Sequence, residues 1–192
     1  MSSEIPSIAE QVDSLLARLT GRFGAKILVA TAARNDTPDL LWALYKIAYH
    51  NPLHMVEIGT CHGVMATVLG LVAQHVTTVD VATYVPAHAG SPGGPTAFAR
   101  VADVFEVAGL DNVWAVLAEN EAEKQRFLRA SPFDAAFIDG LHETDAVLAD
   151  FEAVRKCGFV LFHNVSSHAK VKTAIEQIGD VTCFGNFGLW RE

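Results

Sequence analysis

The chain has 192 residues, of which 51% are hydrophobic and 19% are charged. This size and balance are typical of a globular domain with a substantial core and exclude a largely disordered chain. The net charge is −8 and no basic cluster stands out, which argues against nucleic acid as the main partner because phosphate contacts need a positive face. No apolar run reaches the roughly 18 residues of a membrane span, and the first residues lack the pattern of a secretory signal. We therefore expect a cytoplasmic protein that does not insert into a membrane.

The apolar periodicity predicts helices and strands that alternate along the chain. The predicted helices cover residues 7–21, 37–49, 63–74, 96–108, 119–130, 145–156 and 171–178, and the predicted strands cover residues 54–58, 76–80, 112–117, 135–138, 159–162, 181–184 and 189–191. A stretch rich in glycine and proline at 84–95, which contains His88, is predicted to be a loop. This alternation indicates an α/β fold with a mostly parallel sheet between two layers of helices. Ligands of such sheets bind beyond the carboxyl ends of the strands.

The first predicted strand runs into a turn that contains two glycines. Val56 and Ile58 favour a strand, and Gly59 and Gly63 leave room for a ligand close to the backbone before the next helix begins. The spacing Glu-x-Gly-x-x-x-Gly lacks the Gly-x-Gly-x-x-Gly fingerprint of dinucleotide sites and the Gly-Lys-Ser/Thr ending of triphosphate sites. The turn therefore predicts a nucleotide-like cofactor without a pyrophosphate, held near the start of the helix.

The second predicted strand ends at Asp80. A carboxylate at this point accepts hydrogen bonds from both hydroxyls of a ribose that lies over the first glycine turn. The competing interpretation is a solvated acid at the end of a strand. The glycine turn upstream favours the ribose.

Two further buried strands end in polar residues. Asp139 and His142 follow one strand, and His163 and Asn164 follow the next. All four belong to residue types that bind divalent metals or transfer protons in other proteins. They converge if the two strands are neighbours in the sheet.

These four segments, at 56–63, 79–80, 133–142 and 157–164, resemble in order and spacing the class I S-adenosylmethionine-dependent methyltransferases. The Phe-Ile-Asp-Gly-x-His pattern at 137–142 is similar to the small O-methyltransferase branch. The resemblance covers about residues 37–192 and implies a Rossmann-like sheet of seven strands in the order 3-2-1-4-5-7-6. It also implies that residues 1–36 form an N-terminal helical extension to a single methyltransferase domain, 37–192.

The resemblance implies a set of cofactor contacts. Asp80 binds the ribose, Asp139 lies near the methionine end of the cofactor or the methyl acceptor, and Glu57 supports the glycine turn. The remaining positions line the amino-acid part or the adenine of S-adenosylmethionine: Gly59, Thr60, Cys61, His62 and Gly63 for the amino-acid part, and Ala118, Glu119 and Asn120 for the adenine.

The chemistry at the ends of the fourth and fifth strands has alternative interpretations. In metal-dependent members of the resembling group an acid at the Asp139 position joins an Asp-Asn pair where this chain has His163 and Asn164. The exchange of an acid for a histidine disfavours magnesium and favours softer transition metals, so the first interpretation is such a divalent metal on Asp139, His163 and Asn164, with His142 as a further candidate ligand. A metal-free site with His142 or His163 as general base is the second. In the third, His163 only hydrogen-bonds its neighbours to order the loop.

The predicted function is methyl transfer from S-adenosylmethionine to a hydroxyl of a small molecule, with Asp139, His142 and His163 as catalytic residues. The alternative is an inactive regulatory or assembly subunit that binds S-adenosylmethionine or S-adenosylhomocysteine. A nicotinamide oxidoreductase shares the outline of the fold, but the glycine spacing disfavours it. A homodimer is a further expectation.

Overall fold

The computed structural model describes residues 6–28, 37–82 and 99–192. The predicted loop at 84–95 with His88 and the first residues of the predicted helix at 96–108 lie outside the described residues. Within the described ranges, none of the helices is both long enough and apolar enough to cross a membrane.

The described chain alternates helices and strands as the sequence predicts. The helices are α1 (Ile8–Phe23), α2 (Thr37–His50), α3 (Val64–Leu69), α4 (Val101–Ala108), α5 (Glu121–Ala130), α6 (Thr144–Val154) and α7 (Ala169–Ile178), with a short 3-10 helix at Ala25–Leu28. The strands are β1 (His54–Ile58), β2 (His75–Val81), β3 (Val113–Ala118), β4 (Ala135–Ile138), β5 (Phe159–His163), β6 (Thr182–Phe184) and β7 (Phe187–Arg191).

The seven strands form one sheet in the order β3-β2-β1-β4-β5-β7-β6. β1 pairs in parallel with β2 and β4, and β4 pairs in parallel with β5, whereas β7 is antiparallel to both β5 and β6. This order confirms the predicted fold. Because β2, β1, β4 and β5 are parallel neighbours, their carboxyl ends meet at one edge of the sheet.

Helices cover both faces of the sheet. One apolar core contains Leu15 and Leu19 of α1 together with Leu40 and Leu44 of α2, and the other contains residues of α6 and α7. Helix α1 thus packs into the same core as α2. The division into 1–36 and 37–192 stays a prediction.

Helix α3 ends five residues before the predicted end at residue 74. The amide of Asn112 donates to the carbonyls of Gly70 and Ala73 at 2.9 and 3.1 Å, and a Cβ on Gly70 would lie 2.7 Å from the side chain of Val113. Carbonyls that would otherwise accept bonds in a longer helix are therefore satisfied by a residue distant in sequence. The turns that follow α3 lead directly into β2.

Candidate active site

The glycine turn after β1 lies directly against the end of β4. Gly59 has a φ of 102°, and a Cβ at this position would meet the carbonyl oxygen of Asp139 and lie 2.7 Å from the Cα of Gly140. The backbone N–H of Asp139 donates to the carbonyl of Ile58 at 2.9 Å. Only glycine fits this position, because the backbones after β1 and β4 touch there.

The other glycine of the turn closes it against the helices. The N–H of Gly63 donates to the carbonyl of Thr60 at 2.7 Å, with a φ of 79° at Gly63. A Cβ on Gly63 would lie 3.0 Å from the ring of Phe105 in α4. Between the two glycines, Cys61 also has a positive φ of 48°, so the turn is tightly folded.

Glu57 lies beneath this turn with an unusual lack of partners. The residue is 0% exposed, and neither oxygen of its carboxyl group has a hydrogen-bond partner among the described residues. The hydroxyl of Thr78, which is paired at 2.7 Å with that of Thr60, acts against burial but lowers the pKa of Glu57 less than burial raises it. Burial, together with the charges of Asp139 and Asp80, raises the pKa of Glu57 well above its usual range. Buried polar groups without partners are rare, so this carboxyl group indicates a site for a ligand with positive charge or donor groups.

Asp80 connects the end of β2 to the glycine turn. Its Oδ2 accepts the backbone N–H of Cys61 at 3.2 Å, and its Oδ1 accepts that of Val81 at 2.8 Å. Burial raises the pKa of Asp80, although these hydrogen bonds and the charge of Lys124 act in the opposite direction. The predicted neighbourhood of Asp80 and the glycine turn is therefore present in the structure.

The burial of the Thr60 hydroxyl and the Cys61 thiol in the turn is not evident from the sequence. The hydroxyl of Thr60 is buried against Thr78, so Thr60 can line a cofactor only with its backbone. Burial raises the pKa of the Cys61 thiol to about 12, which keeps it protonated and unreactive. His62 lies half-buried in the same turn.

A buried ion pair behind the crevice has no signal in the sequence. Lys124 of α5 is 4% exposed and Asp150 of α6 is 1% exposed, and their charged atoms lie 2.9 Å apart. Burial opposes the charge of Lys124, but Asp150 and Glu121 outweigh it and raise the pKa of this lysine. The pair holds α5 against α6 and places a positive charge near Asp80.

The ends of β4 and β5 bring Asp139 and two histidines together. Nδ1 of His163 lies 3.0 Å from Oδ1 of Asp139, and Nε2 of His142 lies 3.4 Å from the same oxygen, at the long end for a hydrogen bond. Burial opposes ionisation of Asp139, but the contacts with His163 and His142 outweigh it and hold its pKa below the usual range. Three of the four side chains predicted to converge, those of Asp139, His142 and His163, therefore do so, because β4 and β5 are parallel neighbours.

The predicted metal ligands His163 and Asn164 have hydrogen-bond partners within the protein. The second ring nitrogen of His163, Nε2, lies 3.3 Å from the side-chain amide of Asn186, so both nitrogens of this ring face protein groups. The amide of Asn164 donates to the hydroxyl of Ser167 at 2.9 Å. In the described part of the chain, no group of three His, Cys, Asp or Glu side chains is arranged to hold a metal ion. A divalent cation on Asp139, His163 and Asn164 stays a prediction, and His163 would have to give up one of its two ring contacts to bind it.

The three residues predicted to lie beside an adenine follow β3. Ala118 pairs with Val81, one residue beyond Asp80, at the same edge of the sheet. Asn120 caps α5 by accepting the N–H of Glu123 at 3.1 Å, and the Glu123 carboxylate accepts the N–H of Glu119 at 2.6 Å. The end of β3 is thus a fixed loop next to Asp80, whereas its contact with adenine stays a prediction.

Comparisons with known proteins agree with this geometry. A family model described as a methyltransferase domain matches residues 56–165, which is more than half of the chain. Comparison with curated protein sequences gives no significant match.

Solved structures of methyltransferases share the fold. An O-methyltransferase from Bacillus cereus in complex with SAH has 16% identity and a TM-score of 0.61, with 98% of this chain and 93% of that chain covered. The SAH-bound methyltransferase PaMTH1 from Podospora anserina has 13% identity and a TM-score of 0.62, with 98% and 89% covered. The O-methyltransferase TomG from Streptomyces achromogenes, in complex with SAM, has 18% identity and a TM-score of 0.60, with 94% and 88% covered.

The match over residues 56–165 contains the glycine turn, Asp80, Asp139 and both histidines. The chain belongs to this family of methyltransferase domains. The class predicted from the sequence, a class I S-adenosylmethionine-dependent methyltransferase, is confirmed by the family match and by the order of the strands.

Proposed function

We propose that the protein transfers the methyl group of S-adenosylmethionine to a hydroxyl group of a small molecule. The observation that carries this proposal is the single edge of the sheet at which the glycine turn, Asp80 and the Asp139–His142 pair meet. A cofactor held by the glycine turn and Asp80 would lie next to the Asp139–His142 pair. A methyl group and a proton acceptor are thereby brought to the same crevice.

The residues around the crevice suit the cofactor. The buried carboxyl group of Glu57 lacks a hydrogen-bond partner among the described residues, and the backbone at Gly59 and Gly63 is open to close approach. These groups, with Cys61 and His62, would hold the amino-acid part of S-adenosylmethionine, whose ammonium group can donate hydrogen bonds to the carboxyl group of Glu57. The side chain of Thr60 would not take part, because it is turned toward Thr78.

The nucleoside part would lie across the ends of β2 and β3. Asp80 would accept hydrogen bonds from the ribose hydroxyls, and the loop Ala118, Glu119 and Asn120 would lie beside the adenine. When bound, the cofactor supplies a methyl group on a positively charged sulfur, which an oxygen can attack in line. The protein then has to align the acceptor and remove its proton.

His142 is the best candidate for the base. Asp139 is ionised and can only accept hydrogen bonds, so a histidine nitrogen that bonds to it must donate. His142 donates through Nε2, which leaves Nδ1 of the same ring as a proton acceptor. Both nitrogens of His163 face other protein groups, so His163 does not offer the same position for a substrate proton.

A small acceptor suits the rest of the chain. The net charge of −8 disfavours a nucleic acid, and the structural neighbours named as O-methyltransferases favour oxygen as the atom that is methylated. Cytoplasmic localisation and a homodimer complete the proposal. A panel of phenols and catechols is the starting point for finding the acceptor.

The first experiment is calorimetric titration of the protein with S-adenosylmethionine and its demethylated product. We expect binding, and we expect Asp80→Asn to weaken it by about 10- to 100-fold, because charge-assisted hydrogen bonds are worth about 1.5–3 kcal/mol. Asp111→Asn, which removes an exposed carboxylate just before β3, is the matched control and should bind normally. Absence of binding at saturating ligand would contradict the proposal.

The second experiment is methyl transfer to the panel with a chelator and with added divalent cations. We expect turnover that does not depend on the cation, because both ring nitrogens of His163 already face protein groups and no group of three His, Cys, Asp or Glu side chains in the described ranges is arranged to hold a metal ion. Cofactor binding without turnover under either condition would contradict the proposal and favour a regulatory binding protein.

A further inference from the structure

Asn186, in the turn between β6 and β7, is oriented without ambiguity by its neighbours. Its Oδ1 lies 3.2 Å from the backbone nitrogen of Ser166 and 3.1 Å from that of Ser167. Backbone N–H groups can only donate, so this atom of Asn186 must be the oxygen. The hydroxyl of Ser166, at 3.1 Å, donates to the same oxygen.

The orientation of Asn186 determines the protonation of His163. The side-chain nitrogen of Asn186 faces Nε2 of His163 at 3.3 Å, and an amide nitrogen can only donate. Nε2 must therefore accept, which means that it carries no proton. The one ring proton of His163 then lies on Nδ1, and it is donated to the carboxylate of Asp139 at 3.0 Å.

We propose that Asn186 is a positioning residue of the active site, which fixes His163 as the neutral Nδ1–H tautomer so that His163 serves Asp139 as a hydrogen-bond donor and not as a base or a ligand. The ring is 7% exposed, and so is Asn186, so water does not readily replace either partner. Asp139 remains an ionised acceptor between two histidines, and His142 alone of the two keeps a nitrogen that can take a proton.

Asn186 is itself held by the other side of the molecule. Its backbone N–H donates to Oδ2 of Asp39 in the first turn of α2 at 2.9 Å. The same carboxylate lies against Gly185, where any Cβ would collide with it. Helix α2 therefore anchors the turn that carries Asn186, and a line of hydrogen bonds runs from Asp39 through Asn186 and His163 to Asp139.

The test is nitrogen-15 NMR of the histidine rings in the ligand-free protein at pH 7, with His163 assigned by the signals lost in His163→Gln. In the native protein we expect a protonated Nδ1 and an unprotonated Nε2 at His163. Asn186→Asp keeps an oxygen for Ser166 and Ser167 but replaces the donor with an acceptor, so Nε2 should become protonated. Asp39→Asn, which can still accept the N–H of Asn186, is the matched control and should leave the tautomer unchanged.

A protonated Nε2 in the native protein overturns the proposal, and so does an unprotonated Nε2 in Asn186→Asp. If Asn186→Asp does not fold, the native spectrum alone decides. The consequence for catalysis rests on the proposed function: we expect kcat of Asn186→Asp to fall by about 10- to 100-fold, as is typical for groups that orient a histidine from one step away, with unchanged affinity for S-adenosylhomocysteine. The tautomer is measured without cofactor, so a failure of methyl transfer in all variants contradicts the proposed function and not the assignment of Asn186.

Discussion

The ends of β1 and β2 and the ends of β4 and β5 lie at the same edge of the sheet, but their polar groups are organised in opposite ways. Glu57, at β1, is fully buried and neither of its carboxyl oxygens has a hydrogen-bond partner among the described residues. Asp139, just beyond β4, interacts with two histidines. Burial therefore raises the pKa of Glu57, whereas the histidines lower that of Asp139.

This difference separates binding from chemistry. A carboxyl group that lacks a partner is costly until a ligand supplies one, so the region of Glu57 is suited to binding a charged molecule. A carboxylate with its partners already in place needs no rearrangement during a reaction, so the region of Asp139 is suited to catalysis. Variants in each region should accordingly affect different measurements.

The largest expected effect joins the two regions, at Gly59. In Gly59→Ala the new Cβ would press on the backbone of Asp139 and Gly140, and a φ of 102° is itself strained for alanine. Neither backbone can shift without disrupting the pairing between β1 and β4. We expect a loss of about 3 kcal/mol or more in the free energy of unfolding, measured with urea, together with loss of cofactor binding.

Gly109→Ala is the matched control, since Gly109 has a φ of 66° but a Cβ added there would meet nothing within 4 Å among the described residues. It should cost only the local backbone strain of about 1–2 kcal/mol. Equal losses in the two variants would mean that the contact between the turn and β4 is not important for stability.

The next effect concerns chemistry alone. His142→Asn should lower kcat by about 10²- to 10⁴-fold, the usual contribution of a general base, because asparagine can donate to Asp139 but cannot accept the proton of the substrate. Cofactor affinity should not change, since the proposed cofactor contacts come from the glycine turn, Asp80 and the end of β3 and not from the side chain of His142. Steady-state kinetics and calorimetry of the same preparation separate the two quantities.

His75→Asn is the control for this variant, because His75 is exposed at the opposite end of the sheet, at the start of β2. It should retain full activity. Retention of activity in His142→Asn, with binding intact, would remove His142 from the mechanism and point to Asp139 itself as the base.

The sequence predicts the first region better than the second, for a physical reason. A glycine turn after an apolar strand is a local pattern, and parallel order then places Asp80 and Asp139 beside it without further information. The convergence of Asp139, His142 and His163 follows in the same way from two buried strands with polar ends. Seven strands and their order also follow from the pattern once the family is identified.

The contacts that the sequence does not reveal have different causes. Asn186 reaches His163 only because β7 runs antiparallel beside β5, and a short strand near the end of a chain gives no indication of its register. Asn164 is a candidate ligand by its position after β5, yet its φ of 63° accompanies a bond to Ser167. Lys124 and Asp150 are charged residues on helices, which sequence patterns place in solvent although this pair is buried.

The smallest expected effect tests the lack of partners at Glu57. Because burial raises the pKa of this group, the folded protein binds more protons than the unfolded chain between about pH 4, where an unfolded glutamate ionises, and the higher pKa of the folded state. The free energy of unfolding should therefore fall as the pH rises through this window. Glu57→Gln removes that dependence. Without cofactor, the free energy of unfolding of the variant should match that of the native protein near pH 4 and exceed it by about 1–3 kcal/mol above the folded pKa.

The same variant should bind S-adenosylmethionine more weakly, and Glu176→Gln, on an exposed position of α7, should change neither property. Urea unfolding from pH 4 to pH 9 measures the dependence, and equal slopes in the native protein and Glu57→Gln would mean that Glu57 has a partner when no cofactor is bound.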